Sequence, residues 1–425
     1  QCERALSLTS LRALLGRRIL IVTDSAKLLF VSQQAPWPLD SGGNLRTYHL
    51  LRALQERYEV TLLSTDPGGE AAARLGEVAS VVELVPALKK GSPLTRALSL
   101  LKSLVSKDPV LFTHNKSAAL EEAVARHLSS GAYSALHLNH LDTTPYARAV
   151  SGVPVVIDTH NVLTEYAARR SEHEKSALGR WLWRREARLL TEREPLELSL
   201  CQRVLACSER EREALLAAES ALEVRVVPNG VAVESITPVS DPAANSPELV
   251  FVGDLAYGPN ADAAESFAVE VFPLVRAEHP GALFRVVGRN PSAALKECMN
   301  AGGVEVTGFV DDVRAELARA RIFVCPIRYG SGTRLKLFEA FAAGLPVVST
   351  RLGAEGIDCV DGEHLLLADT PEEQAAAIAR LLADDELARS LGAAGRSLAS
   401  ERYDWPLIGR GLVEIYEELI AITSR

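Results

Sequence analysis

Charged side chains and glycines lie close together in residues 329–348, which read YGSGTRLKLFEAFAAGLPVV. The order predicts the end of a strand, a glycine loop, a short helix, a second glycine and the next strand. Glycines let backbone amides approach a ligand, and the start of a helix presents free N–H groups and a positive dipole. Because Arg334 and Lys336 add full positive charges, this segment is suited to bind a pyrophosphate.

Glu339 lies five residues beyond Arg334, roughly 7.5 Å along a helix axis at about 1.5 Å per residue. That separation is about the span from a pyrophosphate to its ribose, so the carboxylate could accept hydrogen bonds from both ribose hydroxyls. An ordinary strand-to-helix connection with solvated charges is the alternative. The apolar neighbours Phe338 and Ala340 favour the bound nucleotide, because an unpartnered carboxylate is costly in such surroundings.

Short apolar runs alternate with helical patterns from end to end, which predicts parallel sheets with crossover helices. The first half contains a helical pattern at 45–54 and strand patterns at 28–31, 60–63, 81–84, 135–138, 155–157 and 204–206. The second half contains strand patterns at 249–252, 283–287, 304–307, 322–325 and 346–349. Each set is enough for one doubly wound α/β domain, and two such domains in tandem place their ligand-binding strand ends across a cleft.

A chain of 425 residues is longer than one hydrophobic core usually supports, so two domains are expected. The two sets of strand patterns give their boundaries. We predict an extension of unassigned role at 1–26, a first domain at 27–230, a second at 231–402 and a C-terminal helix at 403–425. The loose stretch 237–247, rich in Pro, Ala, Asp and Ser, is typical of an interdomain linker.

The formal net charge of −9 argues against a nucleic-acid partner. Residues 1–230 contain 29 Lys and Arg against 26 Asp and Glu, a balance of +3, whereas residues 231–425 contain 17 against 29, or −12. The first half is therefore the better candidate to meet an acidic acceptor or a membrane surface.

Cysteine usage and apolar segments indicate the compartment. The six cysteines form no CxxC pair, which fits a reduced, cytoplasmic setting. No segment reaches the roughly 18 apolar residues of a membrane span. Because Arg17 and Arg18 interrupt the apolar stretch near the start, we predict no secretory signal.

Two helical patterns in the first half, at 94–105 and 178–190, are basic and amphipathic. Lys89, Lys90 and Arg96 accompany the first, and Arg184 and Arg188 belong to the second. Either helix could rest on anionic lipid at the inner face of a membrane, or could be a packed surface helix. Peripheral membrane contact through the first domain is therefore an expectation with an open alternative.

A double glycine, Gly42 and Gly43, follows the first predicted strand and opens a helix. It could approach an anion from the opposite side of the cleft, or be a turn in which Ser41 caps the helix. The chain contains no GxGxxG sequence, which argues against a nicotinamide or flavin cofactor. We predict no cofactor.

Polar residues follow two further strands of the first half. His160 ends one of them and could hold a sugar hydroxyl or carry a proton; a structural histidine is the alternative. His137, Asn139, His140 and Asp142 lie at the end of the preceding strand. Because their spacing fits no standard metal site, we predict no bound metal.

The motifs taken together resemble the retaining glycosyltransferases of family four, which have the GT-B fold of two Rossmann-like domains. The resemblance covers residues 28–420. It rests on SGG at 41–43, DTHN at 158–161, ACSE at 206–209, VPNG at 227–230, FVG at 251–253, VVGR at 286–289, GFV at 308–310 and GSGTRLKLFEA at 330–340.

This resemblance implies that the first domain is the acceptor side, that the second domain binds the nucleotide sugar and that the C-terminal helix crosses back to the first domain. It also implies roles for individual residues. Glu339 would bind the ribose of a nucleotide-activated sugar, and backbone near Val310 would meet the base. His160 or Asn139 would touch the donor sugar, and the resemblance does not settle which. The catalytic candidates are Asn139, His160, Arg334 and Lys336, and the candidates for nucleotide-sugar binding are Gly42, Gly43, Gly253, Arg289, Val310, Ser331, Gly332, Thr333 and Glu339.

Two departures from the family pattern are visible. The place eight residues before Glu339, where such enzymes often carry a second glutamate, is Ser331. Residues 254–260 lack the Arg and Lys that often follow this strand, so Arg334 and Lys336 would carry the phosphate charge alone.

The resemblance implies a hexosyltransferase-like, metal-independent enzyme. It would move a sugar with retention from a nucleoside diphosphate donor to a hydroxyl of a glycan, a lipid-linked acceptor or a small molecule, in polysaccharide or glycoconjugate biosynthesis. A nucleotide-sugar epimerase on the same fold is one alternative. An inactive nucleotide- or sugar-binding module is another.

Overall fold

The structure is a computed structural model that describes residues 26–86, 93–114 and 117–423. Lys89, Lys90 and nearly all of the predicted extension at 1–26 therefore lie outside the described residues.

Seven parallel strands of the described chain form the first sheet, in the order β3-β2-β1-β4-β5-β6-β7. The strands are β1 (Lys27–Ser32), β2 (Glu59–Thr65), β3 (Val81–Val85), β4 (Ala135–Asn139), β5 (Val155–Asp158), β6 (Arg203–Ala206) and β7 (Val224–Val226). Its helices are α1 (Gly42–Gln55), α2 (Ala71–Leu75), α3 (Pro93–Ser106), α4 (Val110–His114), α5 (Ala118–Ser129), α6 (Leu163–His173), α7 (Ala177–Leu198) and α8 (Glu209–Ala218), with a 3₁₀ segment at Leu141–Ala149.

The second sheet has six strands in the described region, ordered β10-β9-β8-β11-β12-β13. They are β8 (Glu248–Val252), β9 (Leu283–Val287), β10 (Val304–Val306), β11 (Ile322–Cys325), β12 (Val347–Ser349) and β13 (Leu366–Leu367). The helices that follow α8 are α9 (Gly258–Ser266), α10 (Phe272–Glu278), α11 (Ala293–Ala301), α12 (Val313–Arg319), α13 (Leu335–Ala342), α14 (Pro371–Ala383), α15 (Asp385–Arg402) and α16 (Trp405–Thr423).

Continuous apolar runs form the central strands because helices cover both faces of each sheet. Leu28, Leu29, Phe30 and Val31 of β1 are all fully buried, although successive side chains point to opposite faces. The predicted fold class, two Rossmann-like parallel sheets, is confirmed.

The order of the strands determines where a ligand can bind. The first sheet reverses its winding between β1 and β4, and the second reverses between β8 and β11. Ligands of doubly wound sheets bind beyond the carboxyl ends of the strands at such a reversal. The segments beginning at Gln33, His140, Gly253 and Pro326 are therefore the ones placed to form a site.

The C-terminal helix α16 packs against α1 and the first sheet. Tyr416 Oη lies 2.5 Å from His137 Nδ1. The rings of His49 and Trp405 stack 4.6 Å apart. Burial lowers the pKa of His137 to about 3, so this histidine is neutral and structural.

Sequence patterns missed two short strands and misplaced one helix start. The strands β7 and β13 have three and two residues, too few for a recognisable period. Helix α1 begins at Gly42 because the Ser41 side chain accepts a hydrogen bond from Asn44 N, so the predicted cap is present. No helix in the described part of the chain is long and apolar enough to cross a membrane.

Candidate functional site

The loop before α13 contains the predicted diphosphate-binding residues. Gly330 and Gly332 have φ of 119° and 79°, in the left-handed region that side chains rarely adopt. Arg334 Nη1 donates to the carbonyl of Ser331 at 2.6 Å and to that of Gly332, which folds the loop under the start of the helix. No side chain caps α13, so its first amides have no side-chain acceptor.

Lys336 lies behind this loop in an enclosed position. Its Nζ donates to Asn260 Oδ1 at 2.6 Å and lies 4.2 Å from the ring centre of Phe251. Gly253 makes room for it, since a Cβ at that position would come within 2.8 Å of Nζ. Burial lowers the pKa of Lys336 to about 8.

Glu339 is partly buried one turn further along α13. Burial raises the pKa of its carboxyl to about 7, although Lys336 opposes this shift. Among the described residues no protein group donates a hydrogen bond to the carboxylate. A partly buried acid without a donor is destabilised in its charged form, which a hydroxyl-bearing ligand would relieve.

Two more polar atoms of the same loop have no partner. Ser331 Oγ and Arg334 Nη2 are buried without a hydrogen bond within the described part of the chain. Burial lowers the pKa of Arg334. Since nearly all buried polar atoms of folded proteins are hydrogen-bonded, two such atoms in one glycine loop indicate a ligand site.

Arg289 and Val310 were predicted to bind the nucleotide. Arg289 Nη2 lies 3.4 Å from Asp254 Oδ2, and its guanidinium lies 6.0 Å from the ring centre of Phe309. Val310 is partly buried against the core. The exposed Phe309 belongs to the GFV motif but was not named as a binding residue; its flat aromatic surface suits a base.

The two glycines at the start of α1 have different neighbours. Gly42 lies against the second domain, and Gly43 lies against His160. A Cβ on Gly42 would come within 2.9 Å of Leu335 Cδ1, and one on Gly43 within 3.4 Å of His160 Nδ1. The glycine loop of the first domain therefore lies directly over the start of α13. A side chain at position 42 would have to displace the end of Leu335, whereas one at position 43 would touch the imidazole of His160.

His160 and Asn139 contact each other, so both catalytic candidates of the first domain lie at one place. His160 Nε2 lies 2.9 Å from Asn139 Oδ1 and 3.2 Å from Asp158 Oδ2. Two acceptors on one nitrogen place the proton on Nε2 and leave Nδ1 as an acceptor. Burial lowers the pKa of His160, although Asp158 opposes this shift.

Sequence analysis missed Arg46, which connects the histidine to the loop of the second domain. Its guanidinium donates to both oxygens of Asp158, at 2.8 and 2.7 Å, and to Asn229 Oδ1 at 3.2 Å. Asn229 Nδ2 in turn donates to Thr333 Oγ1 at 2.5 Å. The available signal was an arginine on the apolar face of α1.

A second set of contacts joins the two domains. Arg169 donates to both carboxylate oxygens of Glu355, at 2.6 and 2.9 Å, and to the carbonyl of Gly330 at 3.0 Å. The rings of His173 and Tyr329 stack 4.6 Å apart. These contacts hold α6 of the first domain against the glycine loop that precedes α13.

Two family models match the chain. The model described as Glycosyltransferase Family 4 matches residues 41–235, and the model described as Glycosyl transferases group 1 matches residues 246–384. The first range includes Gly42, Gly43 and His160, and the second includes Arg334 and Glu339.

Related proteins include a phosphatidyl-myo-inositol mannosyltransferase from Mycobacterium leprae, 27% identical over 331 residues, which are 73% of this chain and 80% of that protein. The Streptomyces coelicolor exopolysaccharide phosphotransferase SCO2592 is 31% identical over 162 residues, 36% of this chain and 17% of that protein. A Mycolicibacterium smegmatis phosphatidyl-myo-inositol mannosyltransferase is 31% identical over 151 residues, 34% of this chain and 39% of that protein. The matches to the exopolysaccharide phosphotransferase and to the Mycolicibacterium smegmatis mannosyltransferase span less than two thirds of the length of those two proteins.

Solved structures share the fold at low sequence identity. A sucrose-phosphate synthase from Thermosynechococcus elongatus has a TM-score of 0.70 at 20% identity, covering 93% of this chain and 100% of that one. The Anabaena protein Alr3699/HepE in complex with UDP-glucose has a TM-score of 0.65 at 16% identity, covering 92% and 99%.

Proposed function

The chain belongs to the GT-B glycosyltransferases, with a family 4 domain followed by a group 1 domain, and from this we propose that it moves a sugar from a nucleoside diphosphate donor to a hydroxyl acceptor with retention at the anomeric carbon. The related mannosyltransferases and the UDP-glucose complex of a protein with the same fold support this proposal. Polysaccharide or glycolipid biosynthesis is the setting that these relatives suggest.

The single observation that carries the proposal is the concentration of unsatisfied polar groups around α13. The Glu339 carboxylate, Ser331 Oγ and Arg334 Nη2 have no hydrogen-bond partner in the described chain. A nucleoside diphosphate offers hydroxyls for the carboxylate and anionic oxygens for the guanidinium and hydroxyl.

Departure of the diphosphate is the demanding step of the proposed reaction. The electron pair of the breaking bond goes to the phosphate oxygen, so its growing charge must meet groups that are already oriented. Arg334, Lys336 and the first amides of α13 supply them, and no metal is required for this purpose. We assign the proton of the acceptor hydroxyl to the departing phosphate, with attack from the same face.

His160 suits a role at the donor sugar. Its Nε2 proton is held by Asn139 and Asp158, and its Nδ1 borders the uncovered backbone of Gly43. A neutral imidazole with Nδ1 as acceptor can bind a sugar hydroxyl without placing a second positive charge beside the diphosphate. Asn139 then orients His160, which assigns different roles to the two candidates.

A binding screen across nucleoside diphosphate sugars tests the proposal. At least one donor should bind, and incubation with glycoside or lipid acceptors should give a product whose anomeric configuration, read by NMR, equals that of the donor. Conversion of the donor without an acceptor would instead indicate an epimerase. Tight binding without hydrolysis or transfer would indicate an inactive binding module, and no binding of any donor would refute the proposal.

Donor affinity should depend on pH with a maximum between about 7 and 8. Below about pH 7 Glu339 is protonated and cannot accept from both ribose hydroxyls; above about pH 8 Lys336 loses its charge. Each limb should approach tenfold per pH unit away from the maximum. Calorimetric titration with a nucleotide sugar measures this, because its diester phosphates do not titrate here.

The Lys336→Arg variant is the control for the pH profile. Arginine keeps its charge throughout this range, so the alkaline limb should disappear and the acidic limb should remain. A flat profile in the wild type would contradict the assignment of both groups.

Membrane contact is a further part of the proposal. Leu101 and Val105 of α3 and Leu178 and Trp181 of α7 are exposed. Arg185 joins the two helices, donating to Ser103 Oγ at 3.1 Å and to its carbonyl at 2.6 Å. Arg185 therefore holds the two helices together and is not free to contact lipid. The exposed apolar side chains lie beside the exposed cations Lys102, Arg184 and Arg188, and this combination suits an anionic membrane surface.

Sedimentation with vesicles measures this contact. The wild type should sediment with vesicles that contain phosphatidylglycerol and remain free with phosphatidylcholine alone. Trp181→Ser combined with Val105→Ser should reduce binding at least fivefold, while Ile422→Ser, an equally exposed apolar residue on α16, should not. If the double variant and Ile422→Ser bind the vesicles equally well, the surface of α3 and α7 is not the membrane contact.

A further inference from the structure

One face of helix α6 in the first domain lies against the residue that begins the glycine loop of the second domain. Arg169 and His173 are four positions apart on this helix, so their side chains are neighbours on its surface. The ring of His173 stacks on that of Tyr329, with centres 4.6 Å apart and planes at 16°. The guanidinium of Arg170 lies 5.9 Å from the centre of the Tyr329 ring. The first domain thus holds Tyr329, which is only 7% exposed.

Arg169 binds the next residue of the loop. Its Nη1 donates to the carbonyl oxygen of Gly330 at 3.0 Å. Because Gly330 has no side chain and a φ of 119°, its backbone is held in place by outside contacts rather than by its own conformational preference. Arg334, at the start of α13, is four residues further along the chain. The position of the loop amides therefore depends on a side chain of the other domain.

Glu355 orients the Arg169 guanidinium. Nη1 donates to Oε2 at 2.6 Å and Nη2 to Oε1 at 2.9 Å, and such a forked pair fixes the plane of the guanidinium. Arg210 of α8 lies 3.0 Å from the same carboxylate and also donates to Glu165 of α6. The side chains of Arg169 and Glu355 are 23% and 18% exposed, so salt screens this pair less than it screens a surface pair.

The four charged groups are divided unequally between the two domains. Two arginines and one glutamate, Arg169, Arg210 and Glu165, give the first domain a local charge of +1, and Glu355 supplies −1 from the second domain. Although burial would raise the pKa of Glu355, its hydrogen bond with Arg169 lowers it, so the carboxylate is ionised at neutral pH. The charges balance only when the domains are in contact.

The other end of the loop is held by the first domain as well. Asn229 Nδ2 donates to Thr333 Oγ1 at 2.5 Å. The turn that carries Glu355 also packs here, since a Cβ on Gly356 would come within 2.8 Å of Thr333 Cγ2 and 3.2 Å of Ser208 Cβ. Contacts from the first domain therefore reach both Gly330 and Thr333.

We propose that Arg169 is a positioning residue for donor binding. Held by Glu355, it fixes the carbonyl of Gly330 and so orients the loop amides towards the diphosphate, without touching the donor itself. The inference rests on the proposed transferase function and adds an energetic contribution of the first domain to donor affinity. Because linked equilibria are reciprocal, donor binding and docking of α6 on the loop should favour each other.

The carbonyl of Gly330 can be observed directly in the ligand-free full chain by NMR. With ¹³C at glycine carbonyls and ¹⁵N at serine amides, the Gly91–Ser92 and Gly330–Ser331 bonds are the two that give a correlated signal, and Ser92→Ala removes the first. In Arg169→Gln the Gly330 carbonyl signal should move upfield, because the oxygen loses a charged hydrogen-bond donor. An unchanged signal would overturn the proposal, whether or not any nucleotide binds.

Donor affinity tests the consequence of this contact. Arg169→Gln and Glu355→Gln should each weaken binding of a nucleotide sugar at least tenfold in calorimetric titration, a factor within the usual range for linked sites. The double variant should bind no more weakly than the weaker single variant, since Glu355 acts through Arg169. Losses that add in the double variant would contradict this dependence.

Arg225→Gln and Glu418→Gln are the matched controls. This exposed ion pair, 3.3 Å apart, joins the first sheet to α16, so its loss should change neither the Gly330 signal nor donor affinity. A lower thermal midpoint in Arg169→Gln with wild-type donor affinity would reduce Arg169 to a structural contact and overturn the proposal. If the Gly330 signal moves as expected while the wild type binds no nucleotide sugar, the proposed function fails and the loop contact stands.

Discussion

Replacing Glu339 by glutamine should weaken binding of the nucleotide-sugar donor by roughly 100-fold. Each hydrogen bond to a charged acceptor contributes about 1.5–3 kcal/mol, and glutamine cannot accept from both ribose hydroxyls with a full charge. A loss near 3 kcal/mol corresponds to that factor. Calorimetric titration at pH 7.5, where both Glu339 and Lys336 are largely in their binding forms, measures it.

The stability of the same variant distinguishes a binding residue from a structural one. Burial raises the pKa of Glu339, and no protein group in the described chain donates to its carboxylate. Glutamine has the same shape without the charge, so the thermal midpoint should stay equal or rise. Glu278→Gln, on the exposed surface of α10, is the matched control and should change neither property. Full donor affinity in Glu339→Gln would remove the ribose assignment.

Arg334→Ala should abolish measurable donor binding in the same titration. The change removes a cation, and it also removes the bonds from Nη1 to the carbonyls of Ser331 and Gly332 that shape the loop. Arg334→Lys should recover part of the donor affinity, because lysine restores the positive charge but lacks the forked hydrogen-bond donors of the guanidinium. Wild-type binding by the alanine variant would contradict the diphosphate assignment.

Arg46→Met should lower the free energy of unfolding of the first domain by about 3–5 kcal/mol. The side chains of Arg46 and Asp158 are 1% and 0% exposed, so removal of the cation leaves a carboxylate buried without its partner. Urea unfolding followed by tryptophan fluorescence measures the loss. Arg52→Met, an exposed arginine on the same helix, should cost less than about 0.5 kcal/mol. Equal stability of the two variants would contradict this account.

The double variant Arg46→Met with Asp158→Leu separates stability from catalysis. A buried ion pair replaced by apolar side chains of similar volume is often neutral in stability, so unfolding should recover. Transfer should stay at least tenfold reduced, because His160 loses the carboxylate 3.2 Å from Nε2 and Asn229 loses the donor that holds it towards Thr333. Recovery of both properties would limit Arg46 to a structural role.

Local patterns were sufficient to predict the fold and the glycine loop that precedes α13; the binding of a donor by that loop stays a prediction. Apolar runs of four to six residues mark the central strands because both faces of each sheet are covered. The glycine loop, the charges and Glu339 of residues 330–339 lie within ten positions, so helix geometry alone relates them. Strands of two or three residues, β7 and β13, are too short to show a period.

By itself, the sequence determined the two doubly wound domains, the glycine loop before α13 and the absence of a dinucleotide fingerprint, since each depends on neighbours along the chain. Only the tertiary structure decided which side chains meet. Arg46 and Asp158 are 112 residues apart and Asn229 and Thr333 are 104 apart, and each pair forms because strand order and domain contact bring them together. The facing of His140 and His160 likewise follows from β4 and β5 being neighbours in the sheet, which spacing along the chain does not specify.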